Sequence, residues 1–115
     1  MKYSVFATMI GTALVAVTPA KAGDPAQIAR GEVLFQHWCA PCHGAGIKGH
    51  AGTMALSVKY NGSLPAELSK RTDLTPEIID YFIRNGVTIM PPFRKTEVTV
   101  SDEQDLIAYL TRNSK

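Results

Sequence analysis

Apolar positions recur at helical spacing in three stretches of this chain, and no stretch alternates convincingly as a half-buried strand would. The first runs from about Pro25 to Trp38, with Ile28, Leu34 and Phe35 on one side. Asp24-Pro25 supplies a capping residue followed by proline at the first helical position. Gly31 lies one turn before Phe35. A glycine inside a helix costs about 1 kcal/mol against alanine, so a close helix–helix contact is expected there.

The second helix is announced by Thr75-Pro76-Glu77: a capping hydroxyl, proline, then an acid at the positive end of the dipole. Ile78, Ile79, Phe82 and Ile83 form its apolar stripe, and Asn85-Gly86 is a stop signal. The third opens at Ser101-Asp102-Glu103-Gln104, which reads as a capping box. It runs to about Arg112, with Leu106, Ile107, Tyr109 and Leu110 as its buried positions. Between the first two helices, residues 44–64 hold Gly44, Gly46, Gly49, Gly52 and Gly62 without a sustained period. They read as a loop with one helical turn near Met54–Lys59, followed by a short helix within Pro65–Arg71. Val87 to Val100 reads as a second loop. The pattern predicts an all-α domain.

The first residues do not belong to that domain. Met1-Lys2 is positive, Ser4 to Val17 is uncharged and mostly apolar, and Ala20-Lys21-Ala22 is a small-x-small cleavage site. Residues 1–22 are therefore expected to be a cleaved export signal, leaving a domain at 23–115 and a periplasmic location. The apolar run is short for a bilayer span and no second one follows, so no stable membrane span is expected after cleavage. The chain has 12 Lys and Arg against 10 Asp and Glu, and the signal holds two lysines and no acid. A charge-balanced domain argues against nucleic acid and against a strongly basic docking face.

The chemistry lies in Cys39-Ala40-Pro41-Cys42-His43. This C-x-x-C-H run is the attachment signature of a c-type haem. The two thiols add to the two vinyl groups of one porphyrin, and His43 is placed to be the proximal iron ligand. Cys39 and Cys42 are the chain's two cysteines, which suits one haem. Two other readings compete. A thioredoxin-like dithiol needs a strand before the motif, and a helix precedes it here. A zinc site would draw on Cys39, Cys42 and two of the three histidines, yet no second paired cluster follows. So small a domain makes a thin core, which a covalently attached apolar ring would complete; the apo chain is expected to fold poorly.

Electron carriers close the second face of the iron. Met90 is the expected sixth ligand: it sits in a loop, before two stiffening prolines, and far along the chain from His43. Its soft thioether favours Fe(II). Met54 is only eleven residues past His43 and reads as a haem-edge contact. His37, on the helix ahead of the motif, and His50, in the loop, are the remaining competitors, along with an open iron site. Lys59, Tyr60 and Arg71 are candidate propionate contacts or solvated surface, and Trp38 is expected to pack.

Gly31 and Phe35, the Cys39–His43 motif, Asn85-Gly86 before Met90-Pro91, and Leu106-Ile107-Ala108-Tyr109-Leu110 together resemble class I cytochrome c across most of residues 26–112. The resemblance implies a small all-α fold around one covalently bound haem c, and a crossing of first and last helices near Gly31, Phe35 and Tyr109. It implies His43 and Met90 as axial ligands and one-electron transfer rather than enzymatic chemistry. The run from Leu74 through Tyr81–Gly86 to Met90-Pro91-Pro92-Phe93 is similar to the cytochrome subunits of flavocytochrome alkylphenol hydroxylases, of the p-cresol methylhydroxylase and eugenol hydroxylase type. That similarity implies a flavoprotein dehydrogenase as electron donor and a copper protein, cytochrome or oxidase as acceptor. A freely diffusing shuttle to a terminal oxidase or other partners is the alternative. One departure stands out. Many family members have a proline soon after the motif whose carbonyl accepts the proximal histidine's N–H, but no proline lies between Pro41 and Pro65. A backbone carbonyl near His50–Thr53 is expected to substitute.

Overall fold

A computed structural model describes residues 23–115, and the expected export signal at 1–22 lies outside the described residues. Five α-helices follow in order: α1 (Pro25–Trp38), α2 (Ala40–His43), α3 (Ala51–Tyr60), α4 (Pro76–Asn85) and α5 (Val100–Thr111). A single 3₁₀ turn, Leu68–Lys70, lies between α3 and α4. No named strand occurs among the described residues, and the one β-bridge is an isolated pair, Val87 with Met90.

α1 and α5 cross, and that contact is the most extensive in the fold. Gly31 is buried where they meet. A Cβ placed on it would lie 2.0 Å from the Asp105 carbonyl oxygen and 2.7 Å from Tyr109 Cβ. The glycine is thus required by space, which accounts for tolerating its poor helix propensity. One turn on, Phe35 packs against Tyr109 with ring centroids 5.3 Å apart. Both rings are almost fully buried, a contribution of about 1.5–3 kcal/mol for a side chain of Phe size. Arg30 donates two hydrogen bonds to the Asp105 carboxylate, at 2.8 and 3.0 Å, fixing the rotation of one helix on the other. The bidentate geometry suits the planar guanidinium fork.

The hydrophobic core is small: Phe35, Leu74, Ile79, Ile83, Val98, Leu106, Tyr109 and Leu110. It joins α1, α4, α5 and two connecting segments. No apolar side chain of α3 enters it. α3 meets the rest of the fold chiefly through α2, and its Met54 and Val58 are 52% and 78% exposed.

Three elements differ from the sequence expectation. The glycine-rich stretch contains a full ten-residue helix, α3, rather than one turn. Its glycines crowd the flanks, and only Gly52 falls inside; Asn61 and Gly62, both at positive φ, end it. The expected short helix within Pro65–Arg71 is only the 3₁₀ turn. α5 begins one residue before Ser101, and its capping box is Thr99 with Asp102 rather than Ser101 with Gln104. Thr99 Oγ1 accepts from the Asp102 amide and Asp102 Oδ2 accepts from the Thr99 amide, both at 3.1 Å. Val98 is 1% exposed, so its burial fixes where the extended approach ends and the helix starts.

Gly31→Ala is expected to destabilise the domain by about 1–3 kcal/mol or more, because the obstacle is backbone and no rotamer relieves it. Thermal unfolding of the haem-loaded protein measures this; an unchanged melting temperature would show that the helices can part at no cost.

Candidate functional site

The Cys-Ala-Pro-Cys-His run directly continues α1. The Cys39 amide donates to Phe35 O at 2.9 Å, and the His43 amide donates to Cys39 O at 2.7 Å. Pro41 falls in the first turn of α2, where its missing N–H costs nothing. Cys39 packs against the core, while Cys42 is exposed. One helical turn thus brings Cys39, Cys42 and His43 together, with no strand ahead of it. Burial, with Cys42 adding a little, pushes the free Cys39 thiol up to about 12. Dithiol exchange, which needs a thiolate, is disfavoured at such a sulfur. Burial also lowers the His43 pKa, so its imidazole is neutral, the form that ligates a metal.

No carbonyl of His50–Thr53 receives the His43 ring, contrary to the sequence expectation. His43 Nδ1 is buried without a hydrogen-bond partner among the described residues. These residues enter α3, whose carbonyls are committed to the helix ladder; His50 O, for example, accepts from the Met54 amide. The ring is held by contact instead. A Cβ on Gly52 would fall 2.5 Å from His43 Cε1 and 2.7 Å from Nδ1. Beside it, buried Thr53 donates from Oγ1 to Gly44 O at 2.8 Å, tying α3 to the end of the motif. Thr53 was not legible as a site residue, since its role depends on where α3 starts.

On the opposite side of the sequence, Gly86 ends α4 at φ 65°. Val87 and Met90 exchange backbone hydrogen bonds, Val87 N to Met90 O at 3.0 Å and Met90 N to Val87 O at 2.8 Å. The turn closes where the Phe93 amide donates to Ile83 O at 2.7 Å. Met90 therefore sits in a pinned turn rather than a slack loop, half-buried and followed by exposed Pro91 and Pro92. Gly86 is required twice: for its positive φ, and because a Cβ would lie 2.4 Å from Met90 O.

The competing ligands have other surroundings. His50 Nδ1 lies 3.1 Å from Gly46 O, where it can only donate, and its ring covers Gly44. His37 is exposed and stacks edge-on with Trp38. Met54 is on an exposed face of α3. Trp38 packs against Phe93 at 5.7 Å between ring centroids, linking the end of α1 to the Met90 segment. Of the candidate propionate contacts, Arg71 is committed elsewhere: it is buried, forks onto Asp73 at 2.6 Å for both bonds, and lies over the Tyr60 ring. Lys59 also sits beside Tyr60, 5.4 Å from its ring centroid.

The donor set fits a c-type haem. Two thiols and an imidazole share one turn, Met90 sits in a second, hydrogen-bonded turn, and α3 stands apart from a small core. Among the described residues no group of three or more His, Cys, Asp or Glu side chains is placed to hold a free metal ion.

Residues 26–110 match the sequence model of the family described as cytochrome C oxidase, cbb3-type, subunit III. No curated protein and no solved structure matches the chain. The chain belongs to that cytochrome c family; it is an electron-transfer domain with covalently bound haem c. No helix among the described residues is long and apolar enough to cross a membrane.

Gly86→Ala is expected to open the Met90 turn. Hydrogen exchange of the Met90 amide should accelerate at least about tenfold, since a loss of 1.4 kcal/mol suffices for that factor, while amides of α1 and α5 hold their protection. Unchanged exchange at Met90 would contradict the geometric requirement for glycine.

Proposed function

We propose that this cytochrome c domain is a periplasmic one-electron carrier whose haem is anchored through Cys39 and Cys42 and ligated by His43 and Met90. The observation that carries this reading is the single helical turn that brings together Cys39, Cys42 and the half-buried His43. The bound haem supplies an Fe(III)/Fe(II) couple, and no substrate bond is made or broken. The protein's part is to hold the ring and keep its surroundings fixed between the two states. Cys39 and Cys42 hold it as thioethers. His43 would offer Nε2, because Nδ1 is buried against Gly52. Met90 offers a thioether from a turn whose backbone is tied at both ends. A soft sulfur ligand favours Fe(II) and raises the reduction potential.

The donor we propose is a flavoprotein dehydrogenase acting on alkylphenols, which hands on electrons singly. Two features support it: the similarity of residues 74–93 to the cytochrome subunits of such enzymes, and the surface beside Met90. Ile89 is 80% exposed and Val87 is 49% exposed, with Pro91 and Pro92 exposed next to them. An apolar rim of this kind suits a stable subunit contact better than a charged, transient one. A copper protein, cytochrome or oxidase would then accept the electron.

Met90→Ala is expected to abolish the weak red iron–sulfur absorption of the ferric protein while leaving both thioether bonds, seen by intact mass. Survival of that band would exclude Met90 as the ligand. For the partner, gentle affinity purification from the native host should return a flavoprotein in fixed ratio. A red protein eluting alone would replace the subunit reading with that of a diffusing shuttle.

A further inference from the structure

Arg84 lies in the last turn of α4, six residues before Met90. Its guanidinium is largely buried and makes four hydrogen bonds. Nη1 donates to Phe93 O at 3.2 Å and to Val98 O at 3.0 Å. Nε donates to Glu103 Oε2 at 3.1 Å, and Nη2 donates to the same oxygen. Glu103 is itself buried on α5, 7% exposed. One side chain therefore ties together the end of α4, both ends of the 93–98 segment, and α5.

These partners frame the Met90 turn. Phe93 is bonded through its N–H to Ile83 O and through its carbonyl to Arg84. The segment from Gly86 to Phe93 is thereby a closed loop with its base clamped on both faces of one residue. A carbonyl left unpaired at a buried site costs about 1–3 kcal/mol elsewhere in proteins, and here two carbonyls depend on one guanidinium. Lysine could not replace it: a single ammonium has no planar fork with which to reach a carboxylate and two separate carbonyls.

We propose that Arg84, held by Glu103, is the positioning residue for the sixth iron ligand: it clamps the base of the Met90 turn, so that the thioether stays on the iron when the oxidation state changes. The proposal rests on Met90 being that ligand. Arg84 acts only through the turn and does not touch the iron. The arrangement has a cost in the protein without Arg84: Glu103 Oε1 already lacks a donor among the described residues, and burial together with neighbouring Asp80 raises the Glu103 pKa while Arg84 holds it down.

The test uses the haem-loaded protein with Arg84→Gln, Arg84→Lys and Glu103→Gln. The readouts are the red iron–sulfur band and the rate at which cyanide displaces the sixth ligand of the ferric form, beside the melting temperature. Arg84→Gln is expected to weaken the band and speed cyanide binding at least tenfold. Arg84→Lys should fail to restore either. Glu103→Gln, which leaves the guanidinium in the protein but removes the charge that holds it on the two carbonyls, should speed cyanide binding several-fold, and it decides the matter if the Arg84 variants do not fold. Variants that melt earlier yet keep the wild-type band and cyanide rate would overturn the positioning role. A wild-type protein lacking the band would instead overturn the Met90 assignment on which the role rests.

Discussion

α1 and α5 meet at Gly31 with no room for a methyl group, and every functional element hangs from that crossing. The contact sets the axial position of α1, and the chain passes straight from its last turn into Cys39 through the Phe35 carbonyl. Asp105 and Tyr109 on α5 hold α1 by charge and by aromatic packing. Glu103, on the same helix, holds Arg84 and with it the base of the Met90 turn. One helix thus serves as the common reference for the two sides of the proposed haem site. A carrier needs that rigidity: the less its ligands move between oxidation states, the less structure must reorganise with each electron.

The second constraint is the shortage of core. Among the described residues eight side chains make up the buried apolar cluster, and a domain this small buries a limited share of its surface. α3 contributes none of them and is attached by the Thr53–Gly44 bond and the packing of Gly52 on His43. Covalent haem c answers this arrangement by adding a large apolar ring next to the turn that ties it down. Among the described residues His43 Nδ1 is buried against Gly52 without a hydrogen-bond acceptor.

Much of this was readable in the sequence because its signals are local. Thr75-Pro76 and Gly86 mark the ends of α4 through capping and positive φ, and the C-x-x-C-H spacing is chemistry within one turn. Gly31 announced a helix contact, since nothing else excuses a glycine between Ile28 and Phe35. What sequence reading missed depends on distant partners. The length of α3 was hidden by the glycines around it. The start of α5 is set by burial of Val98 rather than by the better-looking Ser101–Gln104 pattern. The charges Arg84, Glu103 and Asp105 read as surface residues until the helices are packed, because the opposite charge that each meets lies at least nineteen positions away. The missing acceptor for His43 likewise follows from α3 claiming its own carbonyls.

The proposed site closes the haem on both faces, with His43 on one and Met90 on the other. Exposing the dithionite-reduced protein to carbon monoxide puts that closure to the test. A closed haem gives a low-spin reduced spectrum that does not change on a timescale of minutes. Rapid conversion to a carbon monoxide complex would contradict it and make the chain a protein with an open iron site.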